Sequence, residues 1–321
     1  MQYRRLGRAG VKVSAISFGN WLTHGGYVEE QTAITCVEYA YDRGINLFDT
    51  ANAYRRGAAE EVLRRALSAY RRESYVLATK VYFPMGEGPN DRGLSRKHIM
   101  EQAHASLRRL GVDYIDLYQC HRYDPETPLD ETLRALDDLM TQGKILYAGV
   151  SEWGAEQLSD AVIFAREHNI DQIVSNQPRY NILQRQIERN VLPVCEREGI
   201  GLVVYSPLAQ GVLTGKYRPG QPPPPDTRAG TVGEPSEFIG DLMQDDVLSA
   251  VQRLRPIADR LGITMSQLAL AWVLRLESVS SAIIGASRPD QIYENVIAVD
   301  VELDEATLQD IDAAVEPVVQ R

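Results

Sequence analysis

The sequence is poor in cysteine and contains no long apolar run. Its three cysteines, Cys36, Cys120 and Cys195, are too few and too scattered for a disulfide framework or a zinc site. An odd number of cysteines is typical of a reducing compartment. No stretch reaches the roughly 18 apolar residues of a membrane span, and the polar segment Met1 to Gly10 lacks the apolar region of a signal peptide. We therefore expect a cytoplasmic protein with neither a metal site nor a membrane segment.

Basic residues are also in deficit, because 34 Lys and Arg face 44 Asp and Glu, for a net charge of −10. Nucleic-acid binding requires a basic stripe, and the arginine pairs of this chain lie among acids on predicted helices. The Gly-x-Gly-x-x-Gly motif of dinucleotide-binding Rossmann folds is missing. The segment from Gly211 to Lys216 is one residue too short for a P-loop. The composition therefore disfavours a nucleic-acid partner and these two nucleotide-binding folds.

What the chain does contain is a strand–helix alternation that recurs about every 30–40 residues. The candidate strands are short, β-branched or aromatic, and often apolar throughout, a pattern typical of parallel strands buried on both faces. Eight such units predict an α/β protein with a (β/α)₈ TIM barrel, formed by one domain over residues 1–321. The predicted strands are Ala15–Gly19, Asn46–Asp49, Tyr75–Lys80, Ile115–His121, Ile145–Ser151, Ile173–Gln177, Leu202–Ser206 and Ala282–Gly285.

Three further segments complete the predicted architecture. The first ten or so residues, with a turn at Gly7–Gly10, indicate a β-hairpin before the barrel. Glu305–Val315 predicts a C-terminal packing helix. The long segment from Pro207 to about Asp245, with its proline run and Gly230 and Gly233, interrupts the alternation after the seventh strand. Loops of this length inside compact domains are usually functional, so we expect a lid over the ligand site rather than a plain linker.

Polar residues with catalytic potential occur at or just beyond the ends of predicted strands two, three and four. These residues are Asp49, Tyr54, Lys80 and His121. The carboxyl ends of barrel strands converge on one mouth, where barrel enzymes carry their active sites. A tyrosine has a pKa of about 10, and a nearby ammonium would lower it by favouring the phenolate. With Lys80 beside Tyr54, Asp49 balancing the lysine and His121 orienting a carbonyl oxygen, the four residues predict a proton-donating site for carbonyl reduction.

Phrases at the strand ends carry a family resemblance over nearly the whole chain. The chain resembles the aldo-keto reductases, and within them the branch of the voltage-gated potassium channel β subunits and their bacterial relatives. The branch is indicated by Gly19-Asn20-Trp21 with Gly25-Gly26 and by Gly211 to Lys216. The family phrases are Phe48-Asp49-Thr50-Ala51 to Tyr54, Ala78-Thr79-Lys80, Asp116-Leu117-Tyr118 to His121, Gly149-Val150-Ser151, Asn176-Gln177-Pro178, Tyr205-Ser206-Pro207-Leu208 and Gly285-Ala286-Ser287 to Glu294-Asn295.

The resemblance implies a function and a cofactor. The family reduces aldehydes and ketones with NADPH, and its Asp-Tyr-Lys-His tetrad corresponds to Asp49, Tyr54, Lys80 and His121. The channel subunits typically carry Asn at the position of His121, so the histidine favours a working reductase. The resemblance further implies that Ser151 and Gln177 bind the nicotinamide carboxamide, that Tyr205 stacks on the ring, and that Asn20, Trp21 and Asp49 contribute to the same site. Glu152 departs from the family pattern of Asn or Arg, which leaves its role open.

The loops after strands seven and eight are where barrels bind phosphate groups. A helix N-terminus attracts phosphate through its free N–H groups, and Arg288 is suited to the 2′-phosphate of NADP. These loops therefore favour NADPH/NADP⁺ over NAD. The candidate cofactor contacts are Ser206, Leu208, Gln210, Gly211, Lys216, Arg228, Gly285, Ser287, Arg288, Gln291, Glu294 and Asn295.

Aromatic residues just past the strand ends predict the substrate site, because small-molecule sites are usually apolar cups with few polar groups. The candidate substrate contacts are Trp21, Tyr54, Tyr82, Phe83, His121 and Trp153. The pattern specifies a small-molecule carbonyl substrate without naming it. Arg122, beside His121, is suited either to an anionic substrate group or to an internal ion pair.

Two other functions stay open at this point. One is a regulatory subunit that holds NADP as a redox sensor with little turnover, as the channel subunits do. The other is a barrel aldolase or isomerase that uses Lys80 as a Schiff-base nucleophile. The relatives include single chains and rings, so the resemblance leaves a homo-oligomer open as well.

Overall fold

Eight parallel strands close into a barrel in the computed structural model, which describes residues 1–21, 28–225, 227–230 and 239–320. Around the barrel, each strand pairs with the next along the chain, and the last barrel strand pairs with the first. A two-stranded antiparallel hairpin precedes it. The hairpin is β1 (Tyr3–Arg5) and β2 (Lys12–Ser14), and the barrel strands are β3 (Ile16–Gly19), β4 (Leu47–Asp49), β5 (Val76–Val81), β6 (Ile115–Cys120), β7 (Ile145–Ser151), β8 (Ser175–Gln177), β9 (Gly201–Val204) and β10 (Val279–Ile284).

Helices surround this barrel and connect its strands. In the described ranges none of them is long and apolar enough to cross a membrane. They are α1 (Glu30–Asp42), α2 (Ala58–Leu67), α3 (Arg96–Leu110), α4 (Leu129–Thr141), α5 (Ala155–His168), α6 (Ile187–Glu198), α7 (Asp245–Gln252), α8 (Arg255–Leu261), α9 (Met265–Leu274), α10 (Pro289–Val296) and α11 (Glu305–Val315). The (β/α)₈ prediction is confirmed, together with its hairpin and C-terminal helix.

Local sequence signals explain the ends of several helices. The Ser95 hydroxyl accepts a hydrogen bond from the backbone N–H of His98 at 3.2 Å, which caps the start of α3. Gly111 ends the same helix at φ 67°, a left-handed conformation that suits glycine. Asp304 caps α11 through the backbone N–H of Thr307. Capping therefore fixes α3 at both ends and α11 at its start.

The predicted strand Ile145–Ser151 matches β7 at both ends, and the other predicted strands differ at one or both ends by one to three residues, for local reasons. Asn46 is not part of β4, because its side chain and backbone bond to Ser14 instead. β9 ends at Val204, because Ser206 adopts a positive φ of 53° that is incompatible with a strand. Predicted end residues that lie outside the strands are Ala15, Asn46, Tyr75, His121, Ile173, Val174, Tyr205, Ser206 and Gly285, whereas Lys80 is followed by one more strand residue, Val81.

The hairpin closes the N-terminal end of the barrel. Its fully buried Leu6 and Val13 belong to one apolar cluster with inward residues from the starts of the strands, such as Leu47 and Val76. Gly7 allows the close approach, because a Cβ at this position would lie 2.3 Å from the carbonyl oxygen of Gly199. The barrel interior is therefore apolar and sealed at this end, and its polar residues gather at the other.

The long segment after β9 is described only in part. It begins with a short 3₁₀ segment, Ala209–Thr214, and continues through the buried Tyr217, whose hydroxyl accepts from the N–H of Ala229. Position 226 and positions 231–238, including Gly233, lie outside the described residues, as do Gly25 and Gly26 of the first loop. A lid function for this segment stays a prediction.

Candidate active site

The four candidate catalytic residues lie at the C-terminal mouth of the barrel. Asp49 is the last residue of β4, Lys80 is the second-last residue of β5, and His121 directly follows β6. Tyr54 opens a 3₁₀ turn, Tyr54–Gly57, after β4. Because side chains alternate along a strand, Lys80 shares the inward face of β5 with Ala78, which lines the barrel interior.

Lys80 connects the members of this group. Its ammonium Nζ donates to Asp49 Oδ2 at 2.5 Å, to the carbonyl oxygen of Thr50 at 2.8 Å and to the Tyr54 hydroxyl at 3.3 Å. The lysine side chain is completely buried, and Asp49 is 3% exposed. A buried ammonium needs such partners, because an unpaired buried charge is strongly unfavourable. The arrangement holds a cation directly against the phenol of Tyr54.

Two glutamine side chains also bind the Asp49 carboxylate, and only one of them was a candidate from the sequence. Gln119 Nε2 and Gln177 Nε2 donate to Asp49 Oδ1 at 3.2 and 2.9 Å. Gln177 was a candidate cofactor residue, whereas Gln119 was missed by the sequence reasoning. The available signal was strand alternation, since Gln119 stands two residues before His121 and therefore on the same inward face. With Lys80 on Oδ2 and the two amides on Oδ1, both oxygens of Asp49 are bound.

The protonation of Tyr54 differs from the sequence expectation. Burial raises the pKa of the hydroxyl, and Lys80 opposes this increase by its charge and its hydrogen bond without reversing it. The Asp49 carboxylate raises the pKa further. The predicted direction of the lysine effect is therefore confirmed, but the pKa of Tyr54 is raised because the prediction left out the loss of hydration at the site. Tyr54 keeps its proton at neutral pH and can donate it to an acceptor that develops negative charge.

The other two titrating groups have well-defined states. Burial favours a lower pKa for Lys80, but the Asp49 charge and the bonds to Asp49 and Tyr54 outweigh it and leave the pKa raised. Burial, with Lys80 and Arg122 adding to it, places the pKa of His121 well below its ordinary value. His121 is thus a neutral imidazole, and its Nδ1 is buried without a hydrogen-bond partner in the described part of the chain. A neutral imidazole beside a cationic lysine can orient an oxygen without competing as a proton donor.

Aromatic rings surround Tyr54, which is half-buried, and His121, which is buried. The centroid of the Trp21 ring is 6.5 Å from that of Tyr54, and the His121 ring meets Tyr54 edge-on at 5.7 Å. Phe83 packs edge-on against His121 at 4.8 Å, and Tyr82 packs against Phe83 at 5.3 Å. The structure therefore brings four of the candidate substrate residues besides Tyr54 into one connected aromatic group.

Trp153 is placed differently from the other candidate substrate residues. It is only 1% exposed, belongs to the apolar core and packs edge-on against Tyr123 at 5.0 Å. Its backbone carbonyl accepts from the Asn176 side chain. Direct contact between Trp153 and a substrate would require Tyr123 to move, and this contact stays a prediction.

Candidate cofactor residues line the mouth beside the tetrad. Ser151 is buried, and its hydroxyl donates to the carbonyl oxygen of Gln177 at 2.9 Å. Asn20 is also buried and donates through Nδ2 to the carbonyl oxygen of Ala59 at 3.0 Å. Tyr205 is half-buried, and burial raises its pKa to about 12, with Glu152 adding to the increase. These positions lie on one side of the mouth, since the residues end β7 and β8, follow β9 and, beyond β10, follow β3.

The turn after β9 has a left-handed backbone. Ala209, Gln210 and Gly211 have consecutive positive φ angles of 48°, 59° and 95°. The backbone N–H groups of Ala209 and Gly211 donate to the carbonyl oxygens of Ser206 and Leu208 at 2.9 Å each, which holds the turn in this shape. Lys216 lies across the turn, because a Cβ on Gly211 would stand 3.2 Å from the Lys216 Nζ. Gln210 Oε1 is buried with no hydrogen-bond partner within the described ranges, while its Nε2 donates to Ser206 Oγ at 2.8 Å. Leu208 is half-buried at the start of this turn.

The residues after β10 are exposed and bonded to one another. The backbone N–H of Ser287 donates to Gln291 Oε1 at 2.9 Å, and the Arg288 Nε donates to Asp290 Oδ1 at 3.2 Å. Arg288, not Ser287, is the N-cap of α10. The remaining candidates of this part are the exposed Gly285, the half-buried Glu294 and the buried Asn295. Together with Gln210 and Lys216 of the turn after β9 and the half-buried Arg228, they form a polar and cationic rim that suits a phosphorylated cofactor.

Comparison with known proteins identifies the family of this chain. A family model described as the aldo/keto reductase family matches residues 15–316. A probable voltage-gated potassium channel subunit beta of Arabidopsis thaliana is 44% identical over 304 residues, or 94% of this chain and 92% of that protein. Its namesake in Oryza sativa subsp. japonica is 41% identical over 304 residues, again 94% and 92%. A putative voltage-gated potassium channel subunit beta of Schizosaccharomyces pombe is 44% identical over 307 residues, or 93% and 88%. The chain belongs to the aldo/keto reductase family, and its predicted resemblance to the potassium channel β branch is confirmed.

Proposed function

We propose that this protein reduces aldehydes or ketones to alcohols with NADPH. One observation carries the proposal: the buried Lys80 ammonium bonds simultaneously to Asp49 and to the phenol of Tyr54 at the open end of the barrel. A carbonyl oxygen that gains negative charge needs both a proton and a nearby positive charge. This pair of groups supplies both at one position.

Residues of this chain donate the proton, stabilise the charge, orient the carbonyl oxygen and exclude water. Tyr54 donates its proton to the carbonyl oxygen as negative charge develops there, and Lys80 stabilises the resulting phenolate. His121, neutral because of its low pKa, donates a hydrogen bond that orients the same oxygen. Asp49 keeps Lys80 charged and in place. The aromatic rings of Trp21 and Phe83 exclude water from this position. NADPH, when bound, supplies the hydride.

We assign the binding of the cofactor's phosphate groups to the rim. Lys216, whose ammonium lies over the turn at 209–211, suits a pyrophosphate, and Arg288 with Arg228 suits a 2′-phosphate. For the nicotinamide end we propose Ser151, Gln177 and Tyr205. All three cysteines of the chain are buried and unpaired, which supports a cytoplasmic location.

Turnover of 4-nitrobenzaldehyde with NADPH tests the function directly. The wild-type protein should oxidise NADPH in the presence of the aldehyde, and Tyr54→Phe should lower kcat by about 10²–10⁴-fold, because only the proton-donating hydroxyl is lost. The matched control is Tyr3→Phe, which removes an exposed hydroxyl that bonds to Gly44 in the region of the N-terminal hairpin. NADPH binding should persist in both variants. Wild-type turnover in Tyr54→Phe would reject the proton-donor role.

A second function is favoured by the names of the relatives, which are potassium channel β subunits. In that case the protein would hold NADP as a redox-sensing regulatory subunit with little turnover. Tight cofactor retention without reduction of any aldehyde would support this function instead. The third alternative, Schiff-base chemistry, is disfavoured because the raised pKa of Lys80 keeps it as an ammonium, which is not a nucleophile.

A further inference from the structure

Arg122 places a guanidinium at the edge of the reduction site. It directly follows His121, and its Nη1 donates to the His121 carbonyl oxygen at 2.5 Å. The same nitrogen is 3.5 Å from the Ser151 hydroxyl, and the guanidinium carbon is 5.5 Å from the centroid of the Phe83 ring. Arg122 therefore touches the orienting histidine, the substrate aromatics and the nicotinamide side of the mouth at once.

None of the described carboxylates pairs with this arginine. Some half-buried arginines bond to carboxylates, as Arg72 does to Asp116 and Arg109 to Glu60, whereas Arg4 bonds to backbone carbonyl oxygens. Within the described residues, no carboxylate lies within 4.0 Å of the Arg122 side-chain nitrogens. Glu152, the acid of the same rim, accepts instead from the backbone N–H of Arg179 at 2.7 Å. The internal ion pair that the sequence left open is thus not formed.

The rest of the site does not balance the charge either. Lys80 and Asp49 form a pair with no net charge, and His121 is neutral. The described contacts of Arg122 engage only Nη1, which leaves the edge formed by Nε and Nη2 without a described acceptor. That edge presents two parallel N–H groups, the geometry that matches a carboxylate. Among the described residues, Arg122 therefore places at the mouth a positive charge that has no carboxylate partner and a fork-shaped donor pair.

We infer that Arg122 binds a carboxylate of the substrate, so that the preferred substrates of this reductase are aldehydes or ketones that also carry a carboxylate group. The inference rests on the proposed carbonyl reduction. The substrate's carbonyl oxygen lies between Tyr54 and His121, and its carboxylate lies against the Nε–Nη2 edge of Arg122. A planar body between the two groups packs against Phe83, whose ring already contacts both His121 and Arg122. Arg122 is thus a specificity-determining residue and not a proton donor.

A matched pair of aromatic aldehydes tests this assignment. 4-Formylbenzoate carries the carboxylate, and methyl 4-formylbenzoate has nearly the same shape without the charge. We expect the wild-type kcat/KM to be about 10–100-fold higher for 4-formylbenzoate, as a charge-assisted pair predicts. Arg122→Met should reduce this ratio to near one, mainly through KM, and Arg122→Lys should retain part of it. The control is Arg134→Met, because Arg134 also lies over an aromatic ring, Phe164 at 5.3 Å, but on the outer helices.

The outcomes separate the two proposals. If the wild type reduces both aldehydes equally well, or if Arg122→Met keeps the full preference, the carboxylate site is rejected while the reductase function stands. If the wild type reduces neither aldehyde, the reductase function itself fails. A preference that disappears in Arg122→Met but persists in Arg134→Met supports the site.

Discussion

The tetrad and the polar, cationic rim lie at the same end of the barrel but differ in how their polar groups are held. In the tetrad, Lys80 and Asp49 are buried, and every oxygen of Asp49 has a donor. In the rim, Arg288 and Ser287 are exposed and bond to neighbours only two to four residues away, Asp290 and Gln291. The tetrad is fixed by long-range contacts between strands, whereas these described bonds of Arg288 and Ser287 are local.

This difference means that the tetrad is preorganised, whereas the rim has to change its contacts to bind a ligand. The tetrad needs no rearrangement before it can donate a proton, which is what efficient electrostatic catalysis requires. The rim must exchange its local partners for those of a ligand, so part of the ligand's binding free energy is used to break existing bonds. Substitutions in the tetrad should therefore affect both folding and chemistry, whereas substitutions in the rim should affect binding alone.

The largest expected effect follows from Lys80→Met. Removal of the ammonium leaves the Asp49 carboxylate buried without its cation, which should lower the free energy of unfolding by about 3–5 kcal/mol and abolish most turnover. Urea unfolding measures the stability, and NADPH oxidation measures the turnover. The double variant Lys80→Met with Asp49→Asn should recover part of the stability but not the activity.

An exposed lysine provides the control. Lys97 pairs with Glu101 on the surface of α3, and Lys97→Met should cost less than about 1 kcal/mol because exposed pairs contribute little. Equal losses for Lys80→Met and Lys97→Met would contradict the distinction between a buried fixed group and a solvated one.

An intermediate effect is expected from Arg288→Ala. Loss of the guanidinium should weaken NADPH binding by about 10–100-fold and leave NADH binding nearly unchanged, as expected for a charge-assisted contact to the 2′-phosphate. Quenching of tryptophan fluorescence by each cofactor measures both affinities. Asp290→Asn, which removes the competing local partner, should tighten NADPH binding by a few fold. Equal weakening of both cofactors by Arg288→Ala would exclude the 2′-phosphate role.

The smallest effect should be that of pH. Reduction needs protonated Tyr54, so activity is present below the pKa of Tyr54 and is lost as the pH rises through it. Because that pKa is raised, and the pKa of His121 is well below its ordinary value, neither group titrates between about pH 6 and 9. We expect kcat to change less than about twofold over this range and to fall only above about pH 10. An inflection near pH 6.5 would indicate a titrating His121 and would overturn the neutral-imidazole assignment.

Much of the fold was predictable because periodic patterns determine it. The apolar runs located all eight barrel strands, and Glu305–Val315 matches α11 at both ends. The placement of Asp49, Lys80 and His121 was also predictable, since barrel topology brings strand ends to one mouth regardless of side-chain detail. The prediction that residues 1–321 form one domain stays a prediction.

Features that depend on several distant side chains at once were not predictable. The pKa of Tyr54 depends on how deeply the site is buried, and no local pattern encodes that depth. In the sequence, Gln119 cannot be distinguished from an ordinary strand residue. Only the folded barrel places it beside Asp49 of β4. The burial of Trp153 depends on Tyr123 from the loop after another strand. Whether Arg122 has an acidic partner likewise depends on where the Glu152 side chain turns.

The sealed N-terminal end has a kinetic consequence. Leu6 and Val13 close the N-terminal end of the barrel. The proposed cofactor and its substrate would therefore both enter through the C-terminal opening. If the proposed cofactor and substrate stack one above the other in this opening, the lower molecule has to arrive first and depart last. A single entrance would then impose an order on binding and release.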